Sequence, residues 1–132
     1  MSTDAPAVFR LDIEVADLDE AAAFYGELLQ QAGRRAPGAR IYFDAGAVVL
    51  QVCDVTWRGP VHPLPKALYF LVQDLDAVHA RAEALGCLDD EPVHGEPGGA
   101  ISVRPWGERS FYCKDPWANP LCFVQQGTVY PG

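Results

Sequence analysis

One pattern occurs twice in this chain, and it limits the fold more than any other feature. VADLDEAAAFYGELLQQAG starts at Val15 and VQDLDAVHARAEALG at Val72; their leading aspartates, Asp17 and Asp74, stand 57 residues apart in a chain of 132. Each copy runs from an apolar strand pattern through Asp-Leu-Asp into a helical pattern that ends at glycine. Repetition at nearly half the chain length means two copies of one supersecondary unit. A chain of this length fits one domain, so both units share it.

The physics of each unit is readable. From Val8 to Val15, Phe9, Leu11, Ile13 and Val15 alternate with Arg10, Asp12 and Glu14. Period two marks a strand with one face on a core. Asp17 is placed to N-cap the following helix, with Glu20 three residues on as in a capping box. Leu18, Ala22, Tyr25, Leu28 and Leu29 form its expected buried stripe, and Gly33 its expected end. In the second unit Asp74 caps, Leu75, Val78, Ala82 and Leu85 pack, and Gly86 ends the helix. Strands are expected over Ile41–Asp44 and Ala47–Cys53, with a further short strand before Ile41, and then over Ala100–Arg104, Ser110–Lys114 and Leu121–Gln125. The segment 115–120, DPWANP, is dense in turn formers. Each half therefore reads as strand, helix and about three strands, an α+β class with helices on one face of a sheet. Residues 1–132 make one domain: module one over about 7–56, a linker over about 57–65, and module two over about 66–127.

Composition narrows the setting. Hydrophobic residues make up 49% of the chain, enough for a core, and the formal net charge is −8. Such acidity repels nucleic-acid phosphates and anionic lipid, so neither is an expected partner. No run of about 18 apolar residues occurs, so no membrane span is expected. The N-terminus lacks a basic start followed by an apolar stretch, which points to a cytoplasmic protein. Cys53, Cys87, Cys113 and Cys122, none in a CxxC pair, then read as reduced, mostly buried thiols.

VADLDEAAAFYGELL at one end and PWGERSFYCKDPWANPLCFV at the other resemble the vicinal oxygen chelate superfamily, the group of glyoxalases, bleomycin-resistance proteins and ring-cleaving extradiol dioxygenases. The resemblance covers nearly the whole chain and is nearest to the bleomycin-resistance type. It implies two βαβββ modules with curved mixed sheets, commonly exchanged between the subunits of a homodimer to give paired clefts. It also implies a divalent metal held by four side chains, two per module. The positions concerned are Arg10, Gln51, Ala67 and Cys122, a poor donor set. Arginine is cationic, alanine has no donor, glutamine is weak, and one thiol does not make a zinc site. No metal, cofactor or catalytic residue is therefore expected. Nor do the histidines offer a site: His62 lies in the linker, His79 in a helix and His94 in the acidic segment 89–96, expected as a solvated loop.

Strand alternation carried outward from those four positions gives the expected cleft lining. Arg10, Asp12 and Glu14 share a face with Val49, Gln51 and Cys53; Ala67, Tyr69 and Leu71 share one with Cys122 and Val124. Trp106 and Tyr112 are expected near the rim. Candidate ligand-binding residues are thus Arg10, Asp12, Glu14, Gln51, Tyr69, Trp106, Tyr112 and Cys122. Tyrosine and tryptophan stack on flat rings or cations. Arg10 either pins a carboxylate or neutralises Asp12 and Glu14. The expected function is a metal-free small-molecule binding protein that sequesters a bulky aromatic or cationic compound in a dimer cleft. Antibiotic resistance comes from the resemblance alone. The alternative is a metal-dependent glyoxalase-like lyase or ring-cleaving dioxygenase; a third reading is an accessory partner of another protein.

Overall fold

The computed structural model describes residues 4–132. Module one comprises β1 (Arg10–Val15), α1 (Leu18–Leu29), β2 (Arg34–Ala36), β3 (Arg40–Ala45) and β4 (Val48–Asp54). Its sheet runs β1-β4-β3-β2, with β1 parallel to β4 and the other pairs antiparallel. Module two comprises β5 (Leu68–Val72), α2 (Leu75–Ala84), the short hairpin β6 (Pro92–Val93) and β7 (Glu96–Pro97), then β8 (Ser102–Val103), β9 (Arg109–Lys114) and β10 (Pro120–Gln125). Its sheet runs β5-β10-β9-β8, again with one parallel pair, β5 with β10. The fold is α+β, two βαβββ modules with one helix each.

Both helices start as their sequence dictates. Asp17 Oδ1 accepts from the Glu20 amide at 2.9 Å, and Asp74 Oδ1 from the Ala77 amide at 3.0 Å. Each satisfies one of the orphan donors of a helix N-terminus. The end of α1 differs from expectation. It stops at Leu29, with Gln30 as a left-handed cap at φ 53°. Gly33 instead lies where a Cβ would meet Ile41 Cδ1 at 2.3 Å, so it permits close packing rather than ending the helix. The buried face of α1 also rotates: Ala21, Phe24, Tyr25 and Leu28 are inside, while Leu18, Ala22 and Leu29 sit at the margin.

One core joins both modules. Ile13, Tyr25, Phe43 and Leu50 pack in the same cluster as Leu75, Phe111, Leu121 and Phe123. Each such side chain contributes about 1.5–3 kcal/mol on burial. A polar joint locks the modules. Asp115 Oδ2 accepts from Tyr25 OH at 2.6 Å and from Asn119 Nδ2 at 2.8 Å. Asn119 Nδ2 also donates to the Glu14 carbonyl at 2.9 Å, and Asn119 Oδ1 accepts from the Leu64 amide at 2.9 Å. The two most distinctive sequence segments thus meet, and at this joint both are structural. Trp117, in the turn at 115–120, packs partly buried against the core, with its amide donating to Asp115 Oδ1 at 2.9 Å.

Candidate functional site

The sheet faces opposite the helices carry the polar alternates. On module one, Asp12 lies beside Gln51 and Tyr42 on the far side of Gln51, as the strand register requires. Gln51 is the hub. Its Nε2 donates to Asp12 Oδ1 at 2.7 Å, and its Oε1 accepts from Tyr42 OH at 2.9 Å and Arg40 Nη1 at 3.2 Å. Glu14, on the same face, is drawn elsewhere. Arg58 Nη2 donates to one of its oxygens at 2.9 Å, and the His62 amide to the other at 2.9 Å. That amide bond, opposed by burial and aided by Arg58, holds the Glu14 carboxyl below its usual range. Arg10 forms no ion pair with Asp12 or Glu14; its guanidinium lies 4.9 Å from the centre of the Phe9 ring.

On module two, Cys122 stands between Tyr69 on β5 and Tyr112 on β9. The two tyrosine rings meet edge to face at 6.3 Å, with their hydroxyls 3.4 Å apart. Tyr69 is 57% exposed and Tyr112 only 9%. Cys122 has no exposed surface, because Ala67 and Val93 pack over its cluster. Burial, countered by Ser110 and Tyr112 contacts, pushes its thiol up to about 11. Such a thiol is inert at neutral pH. Tyr69, Leu71, Val124 and Val129 border an apolar cavity of about 240 Å³ on this side.

The segment 89–96, expected as a solvated loop, forms the β6–β7 hairpin whose Val93 helps cover this face. Trp106 stands apart from the tyrosine pair. Its Nε1 donates to Glu108 Oε1 at 2.8 Å, and its ring meets His94 at 4.8 Å. The candidates therefore fall into two groups, Asp12 with Gln51 and Tyr69 with Tyr112 and Cys122. Sequence reasoning missed Arg40 and Tyr42, although their alternation with Ile41 and Phe43 on β3 carried the signal.

The four positions of the expected metal set do not suit a divalent ion. Gln51 is committed to three neighbours, Cys122 is a sealed thiol, Arg10 is cationic and Ala67 has no donor. Among the described residues, no three His, Cys, Asp or Glu side chains gather as a metal-binding group.

No protein-family model matches the chain, and no curated protein matches it. Solved structures do. The chain is similar to Oxidase ChaP-H1 at 26% identity and a TM-score of 0.76, over 97% of this chain and 100% of that one. It is similar to a glyoxalase/bleomycin resistance protein from Albidiferax ferrireducens T118 at 24% identity and a TM-score of 0.72, over 89% of this chain and 98% of that one. A glyoxalase-related enzyme from Fulvimarina pelagi matches at 20% identity and a TM-score of 0.74, over 97% of this chain and 94% of that one. Such likeness does not establish function, since one fold hosts many chemistries. It does establish architecture: the chain has the paired βαβββ fold of the vicinal oxygen chelate superfamily.

Proposed function

We propose that this protein binds a bulky aromatic small molecule in a cleft, without a metal. The observation that carries the reading is the chemistry at the four expected ligand positions, where Gln51 is engaged and Cys122 is sealed. Aromatic and apolar surface is available instead: Tyr69, Leu71 and Val124 border a cavity of about 240 Å³. Pockets with apolar walls and a few polar groups are the usual form of small-molecule sites. The preference for a cationic ligand narrows to Asp12, because Glu14 is already paired with Arg58. A homodimer belongs to the same proposal. Tyr69 and Leu71 are exposed large apolar residues, and a second copy would enclose the cavity they border.

Elemental analysis of tag-free protein purified without chelators tests the reading. The expected result is no near-stoichiometric transition metal and no rise in Tm with zinc, nickel, manganese or iron. Flat aromatic compounds are expected to raise Tm, since a ligand of the native state alone stabilises it. Near-stoichiometric metal, with turnover of a methylglyoxal–thiol adduct or a catechol, would establish the lyase or dioxygenase alternative.

A further inference from the structure

We propose that Arg104 anchors an anionic group, carboxylate or phosphate, of the ligand held on module two. The proposal rests on the binding reading above and concerns module two alone, apart from the cation preference at Asp12 on module one. Arg104 follows β8 directly and is 3% exposed. Its Nε donates to Ser110 Oγ at 2.9 Å and its Nη2 to the Ser110 carbonyl at 3.0 Å. Both acceptors are neutral. The guanidinium carbon lies 5.2 Å from the centre of the Tyr112 ring. Among the described residues no carboxylate forms an ion pair with it, although six others do pair with arginine, lysine or histidine, as Glu14 does with Arg58.

A guanidinium keeps its charge when buried, and a buried charge without a counter-charge is costly. Nη1 donates to no described residue. It is not sealed either, since no fully enclosed side-chain nitrogen or oxygen among the described residues lacks a partner. Arg104 also lines a cavity of about 150 Å³ with Val93, His94, Glu96, Ser102, Val103 and Pro105. That volume equals about five water molecules, room for an anionic head group. Glu96 borders the same cavity and accepts from the Ser102 hydroxyl, so an anion bound there would have to draw more from Arg104 than it loses to this carboxylate. Tyr112 touches both groups: its ring lies 5.2 Å from the Arg104 guanidinium carbon and meets the Tyr69 ring at 6.3 Å. Arginine is suited to carboxylate and phosphate alike because its donors form a planar fork.

The test compares benzoate, its neutral shape-match benzamide, and inorganic phosphate at constant ionic strength. Tm and titration calorimetry are read on wild type, Arg104→Gln and Arg104→Lys. Benzoate is expected to bind wild type more tightly than benzamide, and Arg104→Gln to weaken benzoate by about ten- to a hundredfold. Arg104→Lys is expected to restore part of the loss. A response to phosphate as well as benzoate identifies a general anion site; benzoate alone identifies a carboxylate site. Equal binding of benzoate and benzamide to wild type overturns the proposal, as does benzoate binding unchanged in Arg104→Gln. Should that variant not fold, the benzoate–benzamide contrast on wild type and the NMR shift of Arg104 Nε–H on titration decide the matter. Benzoate and benzamide that bind equally tightly, both unchanged in Arg104→Gln, would leave the aromatic cleft standing and remove only the anchor.

Discussion

Cys122 occupies a position where the fold's metalloenzymes are expected to hold a ligand, yet its surroundings remove its chemistry. With the thiol pushed up to about 11 by burial, only about one molecule in a thousand is thiolate at pH 8. A disulfide reagent at pH 8 is therefore expected to modify the partly exposed Cys53 and Cys87 first, and Cys113 and Cys122 only after urea unfolding. Mass spectrometry of the timed products checks this; rapid labelling of Cys122 in the native protein would restore it as a nucleophile. Gln51 makes the complementary point. Because it serves Asp12, Tyr42 and Arg40 together, Gln51→Leu is expected to destabilise by about 1–3 kcal/mol in urea unfolding. The sequence placed Gln51 correctly on its strand face. It did not show its partners, because Tyr42 and Arg40 come from a neighbouring strand whose register is set by pairing.

Helix α1 and the turn at 115–120 illustrate what elements add. Tyr25 was legible as a core residue, and Asp115 as a turn former. That the hydroxyl of one donates to the carboxylate of the other, across 90 residues of chain, comes only from the packing of α1 on module two. Tyr25→Phe keeps the ring and loses the bond, so a loss of about 1.5–3 kcal/mol is expected, read as a lower urea midpoint at unchanged slope. Gly33 shows the opposite case. A glycine after a helical pattern reads as a cap, but here Ile41 and Phe43 crowd the place a side chain would take. Gly33→Ala is expected to destabilise by about 1–3 kcal/mol through overpacking rather than backbone strain, because Gly33 is not among the glycines at positive φ.

At the scale of the whole molecule, Glu14 ties the linker back to β1 through Arg58 and the His62 amide. Its folded carboxyl titrates below the usual carboxylate range. The stabilisation is therefore present above the unfolded-state value and is lost as pH falls through the folded one. Wild-type Tm is expected to drop between about pH 5 and pH 3, and Glu14→Gln to drop less steeply over the same window. Tm against pH for both proteins measures it; parallel curves would mean that Glu14 contributes nothing to the acid limb. Sedimentation at several concentrations tests the proposed homodimer: a species of twice the chain mass is expected, and a monomer throughout would leave each cleft open on one side.

The sequence by itself determined the architecture, because the repeat, the two capping aspartates and the period-two strands are local signals that each stretch carries unaided. Single residues with no periodicity behaved differently. Arg104 looked like any strand-end arginine, and the segment 89–96 like any acidic loop. Only the folding of the hairpin over module two, which covers Cys122 with Val93 and leaves Arg104 buried beside a cavity, decided what those residues face. Burial and pairing are properties of neighbours distant in the chain, and those neighbours are chosen by tertiary packing.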